Sequence, residues 1–221
     1  MSNKMKFRFQ FLLILHLNVL FISNVHAEDD WGSSYNLLLK KTINQEWFML
    51  SRSNLATRRD NEQLFLGYTG ASLGYQFNKE WSFRAGYRVA RFRIGDDWRT
   101  ERRPMVEAYY GKMYDGWRLT SRSRIEFRQP DWRDNDVRLR QEFTATAPYK
   151  LTPLEMRPFV ENEIFYSTRN DWVEANWTTL GVSFFPIDKT KVKAGYRHNR
   201  IRIQGDFITR HTLVIGVNLF F

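Results

Sequence analysis

Trp117-Arg118-Leu119-Thr120-Ser121-Arg122-Ser123-Arg124-Ile125-Glu126-Phe127-Arg128 interleaves two chemistries that do not belong in one environment. The odd positions carry Trp117, Leu119, Ile125 and Phe127, interrupted by Ser121 and Ser123. The even positions carry Arg118, Thr120, Arg122, Arg124, Glu126 and Arg128. A repeat of two is the side-chain period of a β-strand, so the rows face opposite sides of a sheet. A soluble core rejects the charged row. Lipid rejects it too, because an arginine at mid-depth on the lipid face of a barrel costs about 2–4 kcal/mol. The charged row must face an enclosed polar interior, and the apolar row hydrocarbon. A strand of a membrane barrel meets both demands.

The neighbouring segments repeat the pattern. Arg138, Arg140 and Glu142 share a face opposite Val137, Leu139 and Phe143. Arg84 and Arg88 alternate with Phe83, Ala85, Tyr87 and Val89, and Lys193 and Arg197 are their counterparts in a later segment. Glu161 and Glu163 oppose Val160 and Ile164, and Arg103 and Glu107 complete the candidate lumen-lining set. Asp115-Gly116 reads as a two-residue hairpin turn, since such turns need positive φ and glycine supplies it cheaply. A hairpin centred there sets Glu107 opposite Arg124 and Met105 opposite Glu126.

Period-two segments are expected near 32–43, 46–57, 64–77, 81–94, 102–114, 117–129, 136–148, 156–167, 176–186, 191–203 and 208–221. Each is about the length a tilted strand needs to cross hydrocarbon. The last is the clearest: Leu213, Ile215, Val217, Leu219 and Phe221 form an unbroken apolar row, against Thr212, Gly216 and Asn218. The fold class is therefore all-β, a transmembrane antiparallel up-and-down β-barrel of 10–12 strands. With both sheet ends on one side of the membrane the number should be even, which favours ten or twelve over the eleven segments counted. Tight links near residues 44, 78, 115 and 188 are expected to face the periplasm. The longer polar links 58–63, 95–101, 130–135 and 169–174 are expected to face outward. Trp47, Trp81 and Trp117 each open a strand after a tight link, where an interfacial girdle belongs. A soluble sandwich would also bury tryptophan, but it would not end on the row at 213–221.

The repeat deepens the barrel reading. Leu73-Gly74-Tyr75-Gln76-Phe77, then Ala85-Gly86-Tyr87-Arg88 and Arg91-Phe92-Arg93-Ile94, matches Leu180-Gly181-Val182-Ser183-Phe184, then Ala194-Gly195-Tyr196-Arg197 and Arg200-Ile201-Arg202-Ile203. One hairpin design is used twice.

Residues 1–27 have the form of a secretory signal peptide. Lys4, Lys6 and Arg8 precede an apolar stretch over 9–22, and Val25-His26-Ala27 sets a cut before Glu28. The stretch is too short and interrupted for a convincing spanning helix. Residues 28–221 are then the barrel, expected in the outer membrane. The chain has no cysteine, which excludes disulfides, thiolate metal sites and a cysteine nucleophile.

The formal net charge is +10. A basic protein invites a nucleic-acid reading, but these arginines alternate along strands and do not gather into a surface patch, so none is expected. No metal spacing, cofactor motif or G-x-S-x-G elbow is present. His198 and His211 sit in no nucleophile motif, so a lipid-modifying enzyme is the least supported reading and no catalytic residue is assigned.

Two readings of the arginine rows stay open. One is a positively lined pore or groove for anionic solutes such as acidic sugars or phosphate-bearing molecules. The other is a salt-bridge network that fills the barrel, leaving the outer loops to bind a partner. Strand number does not separate them, because ten or twelve strands lie between a filled barrel and an open channel. Arg58, Arg59, Arg99 and Arg133, in the expected outer links, are placed to meet lipopolysaccharide phosphates.

Gly86-Tyr87-Arg88, Arg102-Arg103-Pro104, Arg122-Ser123-Arg124-Ile125-Glu126-Phe127-Arg128, Arg138-Leu139-Arg140, Pro158-Phe159-Val160-Glu161-Asn162-Glu163 and Gly195-Tyr196-Arg197 together resemble the bacterial outer-membrane family catalogued as domain of unknown function 2490. The likeness runs from Trp31 to Phe221. It implies a barrel whose arginine and glutamate rows are a family trait, and it supplies no activity. A looser likeness, at fold level only, is to small porins that pass acidic oligosaccharides. The C-terminal strand resembles those of outer-membrane proteins, which implies recognition of Phe221 by the barrel-assembly machinery.

Overall fold

The computed structural model describes residues 30–203 and 205–221, so the expected signal peptide lies outside the described residues. They form eleven strands and no helix: β1 (Asp30–Thr42), β2 (Trp47–Arg58), β3 (Gln63–Gln76), β4 (Trp81–Ile94), β5 (Asp97–Tyr114), β6 (Trp117–Pro130), β7 (Asp136–Thr146), β8 (Arg157–Ser167), β9 (Trp172–Ile187), β10 (Thr190–Ile203) and β11 (Asp206–Phe220). Each strand pairs with the next, and β11 returns to β1, closing the sheet into a barrel. Closure removes the sheet edges that would otherwise expose unpaired backbone.

Eleven strands overturn the expectation of an even number. With an odd count β1 and β11 run the same way. Their join is parallel and runs from Asp30 opposite Arg210 to Lys40 opposite Phe220. Every other pairing in the barrel is antiparallel. A parallel ladder is only slightly less stable per residue, so closure tolerates it. The sheet therefore begins at one end of the barrel, here the amino end, and finishes at the other, the carboxyl end.

The expected contrast in link length is also corrected. At the amino end the segment 95–101 is no loop: Gly95, at φ 62°, opens a tight turn, and β5 starts at Asp97. Polar residues there read as a loop in sequence but extend a strand whose inward side is charged. The longest link between described strands, 147–156, lies at the carboxyl end, which was expected to hold only tight turns. Link length thus assigns no side of a membrane.

Other local expectations match the coordinates. Asp115 and Gly116 have φ of 48° and 78°, the doubly positive pattern of a hairpin turn whose twist suits the flanking strands. The turn fixes the β5–β6 register: Glu107 faces Arg124 and Met105 faces Glu126. The repeated hairpins are β3–β4 and β9–β10. Gly181 faces Gly195, whereas their counterparts Gly74 and Gly86 face Arg84 and Ser72. The registers differ by two residues, which keeps every side chain on its own face.

Along β6 the even residues Arg124, Glu126 and Arg128 are buried, while Ser123, Ile125, Phe127 and Gln129 are exposed. The same division holds around the wall. Large apolar residues left exposed on the outside include Leu55, Leu73, Phe83, Tyr87, Val106, Ile125, Leu139, Phe143, Leu180, Leu213 and Ile215. Outward polar residues bond to one another. Ser123 Oγ donates to Gln141 Oε1 (2.5 Å), and Gln141 Nε2 donates to Ser121 Oγ (2.8 Å). Ser53 and Thr69 share a 3.1 Å bond, and Asn162 Nδ2 reaches Asn176 Oδ1 (3.1 Å) and Thr178 Oγ1 (3.0 Å). Trp47 packs against Tyr75 (5.1 Å between ring centres), Trp81 against Tyr110 (4.8 Å) and Trp117 against Tyr149 (6.4 Å), forming an aromatic collar at the carboxyl end.

Candidate functional site

Strand alternation brings the sequence-selected arginines and glutamates to the inner wall, and one carboxylate organises them. Glu126 is fully buried, and five arginines surround it. Arg138 approaches at 2.5 Å, Arg140 at 2.8 Å, Arg124 at 3.0 Å, Arg88 at 3.6 Å and Arg103 at 3.9 Å. They come from four neighbouring strands, β4, β5, β6 and β7, so the cluster gathers side chains from one arc of the inner wall. A buried carboxylate is costly unless paired and hydrogen-bonded. Here it is over-matched with cations.

The other carboxylates extend the cluster in both directions. Glu107 forms an ion pair with Arg124, whose Nε lies 2.6 Å away, and draws in Arg52 and Arg84 at 3.2 Å each. Toward the amino end Glu101, fully buried, pairs with Arg103 and with Arg128 at 3.0 Å. Arg128 goes on to Asp136 (3.3 Å) and Glu174 (3.4 Å), and Arg133 to Asp136 (3.4 Å). Glu163 joins Arg140 (2.8 Å) to Arg122 (3.5 Å), and Arg122 pairs with Glu142. These contacts form one connected network of ten arginines and seven carboxylates among the described residues. A separate group joins Glu161 to Lys193 (2.9 Å) and Arg197 (3.5 Å).

Aromatic rings back the guanidinium groups. Arg88 lies 4.2 Å from the Tyr68 ring, Arg140 4.3 Å from Phe165, Arg197 4.9 Å from Trp177 and Arg84 5.0 Å from Tyr109. Stacking lets a planar guanidinium give up water on its faces while its edges serve carboxylates. Gly74 makes room for part of this lining: a Cβ there would stand 2.3 Å from the Phe48 ring.

The network lies between two cavities that share no lining residue. At the amino end a space of about 300 Å³ is bordered by Tyr68, Arg88, Arg103, Arg138, Arg140 and Trp177, among others. At the carboxyl end a larger space of about 900 Å³ is bordered by Lys40, Arg84, Arg118, Arg122, Lys191 and Lys193, with Glu142 and Glu161. Among the described residues Lys40, Arg118 and Lys191 have no carboxylate partner in an ion pair. Arg118, on β6, lies within electrostatic reach of both lysines, on β1 and β10. Lys40 stands 4.3 Å from the Phe48 ring, and Lys193 4.4 Å from Phe159. The larger cavity is thus a vestibule that holds uncompensated positive charge, with buried aromatic rings behind two of its lysines.

All sixteen residues selected from sequence occupy the inner wall. Arg88, Arg103, Glu107, Arg124, Glu126, Arg128, Arg138 and Arg140 sit in the central and amino-end network, and Arg122, Glu142 and Glu163 continue it. Arg84, Arg118, Glu161 and Lys193 border the large vestibule, and Arg197 the small one. Sequence reasoning missed Arg52, Glu101, Asp136 and Glu174. Glu101 shares odd parity with Arg103 and Glu107, and that was the signal available. Of the four arginines read as outer-link cations, Arg133 is drawn into the network. Arg58 bonds Gln63 Oε1 (2.7 Å) and the Arg93 carbonyl (3.3 Å).

His198 and His211 face outward with Tyr196 and Trp31. The Tyr196 hydroxyl bonds His211 Nδ1, and the His211 ring stacks 4.9 Å from Trp31. Among the described residues no group of three His, Asp or Glu side chains could hold a metal ion.

No curated protein matches the chain. A family model described as protein of unknown function, DUF2490, matches residues 31–208, which spans nearly all of the barrel. The barrel, with its arginine–glutamate interior, therefore belongs to that family.

Proposed function

We propose that this chain is an outer-membrane β-barrel that binds an anionic solute in its carboxyl-end vestibule and is shut to free ion flow at mid-height. The vestibule carries the reading: a space of about 900 Å³ in which Lys40, Arg118 and Lys191 lack carboxylate partners. Fixed charge of one sign in a low-dielectric cavity favours entry of the opposite sign. A space of that size suits a carboxylated or phosphorylated saccharide better than a bare inorganic ion. Closure is supported by the Glu126 cluster between the cavities. The membrane reading is supported by the exposed apolar wall, its mutually bonded polar residues and the aromatic collar. The reading assigns no catalysis to His198 or His211, no cofactor, and no nucleic-acid partner.

The test is binding and conductance on the purified barrel in lipid. An oligouronate should bind, maltotriose should not, and Lys40→Gln with Lys191→Gln should abolish the difference. Planar bilayers holding the wild type should show no steady ion-selective steps. Steady wild-type steps would overturn the closed reading, and equal binding of charged and neutral sugars the anionic one. A second reading, in which the network only braces the wall and no solute binds, is favoured by its connectedness. Absence of oligouronate binding by the embedded wild type would establish it.

A further inference from the structure

The outward face of β4 and β5 changes character near the amino end. Up β4 the outward row runs Trp81, Phe83, Ala85, Tyr87, Val89 and then Arg91. On β5, read toward the same end, it runs Tyr110, Ala108, Val106, Pro104 and then Arg102. Register ties the rows together: Trp81 faces Tyr110, Val89 faces Arg102, Arg91 faces Thr100, and Arg93 faces Trp98. A strand advances about 3.3 Å per residue, and barrel strands tilt about 35–45°. From Trp81 to Arg91 the wall therefore climbs roughly 25 Å, about the height of the apolar band of an outer-membrane barrel. Trp81 marks one interface and Arg91 the other. Arg102, level with Val89, lies just inside the band, where a long side chain can reach up to the interface.

Arg91 and Arg102 are exposed, and among the described residues neither has an ion-pair partner. Diagonal neighbours across an antiparallel pair stand about 7–8 Å apart, close enough for both to grip one phosphate. The Arg91 guanidinium is 5.9 Å from the ring of Trp98, which is exposed one step further out. From the apolar band outward the order is hydrocarbon, two unpaired guanidinium groups, then an indole face. That order suits a lipid whose sugar headgroup bears both its acyl chains and its phosphates, so that charge and ring sit together at the head of the chains.

We propose that Arg91, Arg102 and Trp98 form a binding site on the exterior of the barrel, at its amino end, for a phosphorylated glycolipid. Arginine takes phosphate oxygens through paired N–H donors, and the Trp98 face takes the sugar. A glycerophospholipid offers phosphate but no ring for Trp98. The site rests on the membrane reading above, and not on the vestibule or its solute.

The experiment uses the purified barrel reconstituted in vesicles, with insertion scored by its heat-modifiable gel mobility, then native mass spectrometry. The probes are bis-phosphorylated lipid A, its dephosphorylated form and phosphatidylglycerol. Wild type should retain only lipid A. Arg91→Gln with Arg102→Gln should cut retention by about tenfold or more, the scale of losing charged hydrogen bonds. Lys41→Gln, an outward cation at the opposite end, should leave it unchanged. An embedded wild type that retains the three lipids equally, retains phosphatidylglycerol as well as lipid A, or retains none, overturns the site alone. A wild type that does not insert overturns the membrane reading with it.

Discussion

Glu126 and Arg138 face each other directly across the β6–β7 pair, with Arg138 Nη2 2.5 Å from Glu126 Oε2. Among the described residues Glu126 is the one carboxylate that touches all of Arg88, Arg103, Arg124, Arg138 and Arg140. Breaking a buried pair from one side leaves uncompensated charge and typically costs about 3–5 kcal/mol. Among the described residues Glu126→Gln leaves Arg88 with no carboxylate partner and takes one partner from each of four more arginines, so its loss should reach that range. Urea unfolding of the refolded barrel measures it. Glu161→Gln, whose partners Lys193 and Arg197 border open cavities, should lose clearly less, and equal losses would show that the centre is not specially organised.

The parallel β1–β11 join makes a topological prediction that an even-stranded barrel cannot share. Asp30 begins β1 at the amino end, and Phe221 follows β11 at the carboxyl end. The chain has no cysteine, so single cysteines can be introduced without background. Asp30→Cys and Phe221→Cys should react with a membrane-impermeant maleimide from opposite sides of sealed vesicles. Labelling of both from one side would require the join to be antiparallel, and would remove β1 or β11 from the count.

What was legible in the sequence followed from the two-residue period. Any strand with one wet and one greasy side announces which residues turn inward, and Arg118 to Arg128 did so unaided. The Glu107–Arg124 register was legible because Asp115-Gly116 admits essentially one hairpin geometry. Strand number was legible as eleven period-two segments, but the expectation of an even count overrode it, because the last strand's partner is chosen by closure and no local residue encodes it. Glu101 was missed because Arg99, Thr100, Arg102 and Arg103 make its surroundings polar on both faces, which imitates a loop. Arg52 was missed for the same reason, between Ser51 and Ser53. The rings behind the guanidinium groups had no signal: Phe48, Phe159 and Phe165 break the polar-inside rule, and only stacking with cations explains them.

The 147–156 link holds a titration that can be followed separately from the barrel interior. Lys150 Nζ donates to Glu155 Oε1 at 2.6 Å, and this bond with the lysine's charge holds the Glu155 carboxyl below its ordinary range. A carboxyl lowered in the folded state contributes stability above its unfolded pKa and loses it as pH falls through the folded one. Glu155 is fully exposed, so the effect on global unfolding should be near nil. The reporter is its side-chain carboxyl resonance, whose midpoint should sit below that of a free glutamate and rise toward it in Lys150→Gln. An unchanged midpoint in that variant would mean the bond is not populated in solution.

Arg124 bridges the two central carboxylates, with Nε 2.6 Å from Glu107 and Nη1 3.0 Å from Glu126. Its removal differs in kind from that of Glu126. Glu107 keeps Arg52 and Arg84, and Glu126 keeps four arginines, so neither carboxylate is orphaned. The network already holds more guanidinium groups than carboxylates, so losing one relieves repulsion as well as attraction. Arg124→Ala should therefore fold, with a smaller stability loss than Glu126→Gln, while deleting the side chain that fills mid-height between the 900 Å³ and 300 Å³ cavities. If those cavities become continuous, planar bilayers holding the variant should show discrete conductance steps where the wild type shows none. The remaining excess of positive charge should set the reversal potential in a KCl gradient toward chloride. A correctly inserted Arg124→Ala barrel that stays silent would mean the remaining arginines close over the gap. Cation selectivity would mean that the paired carboxylates, and not the surplus arginines, govern the opened path.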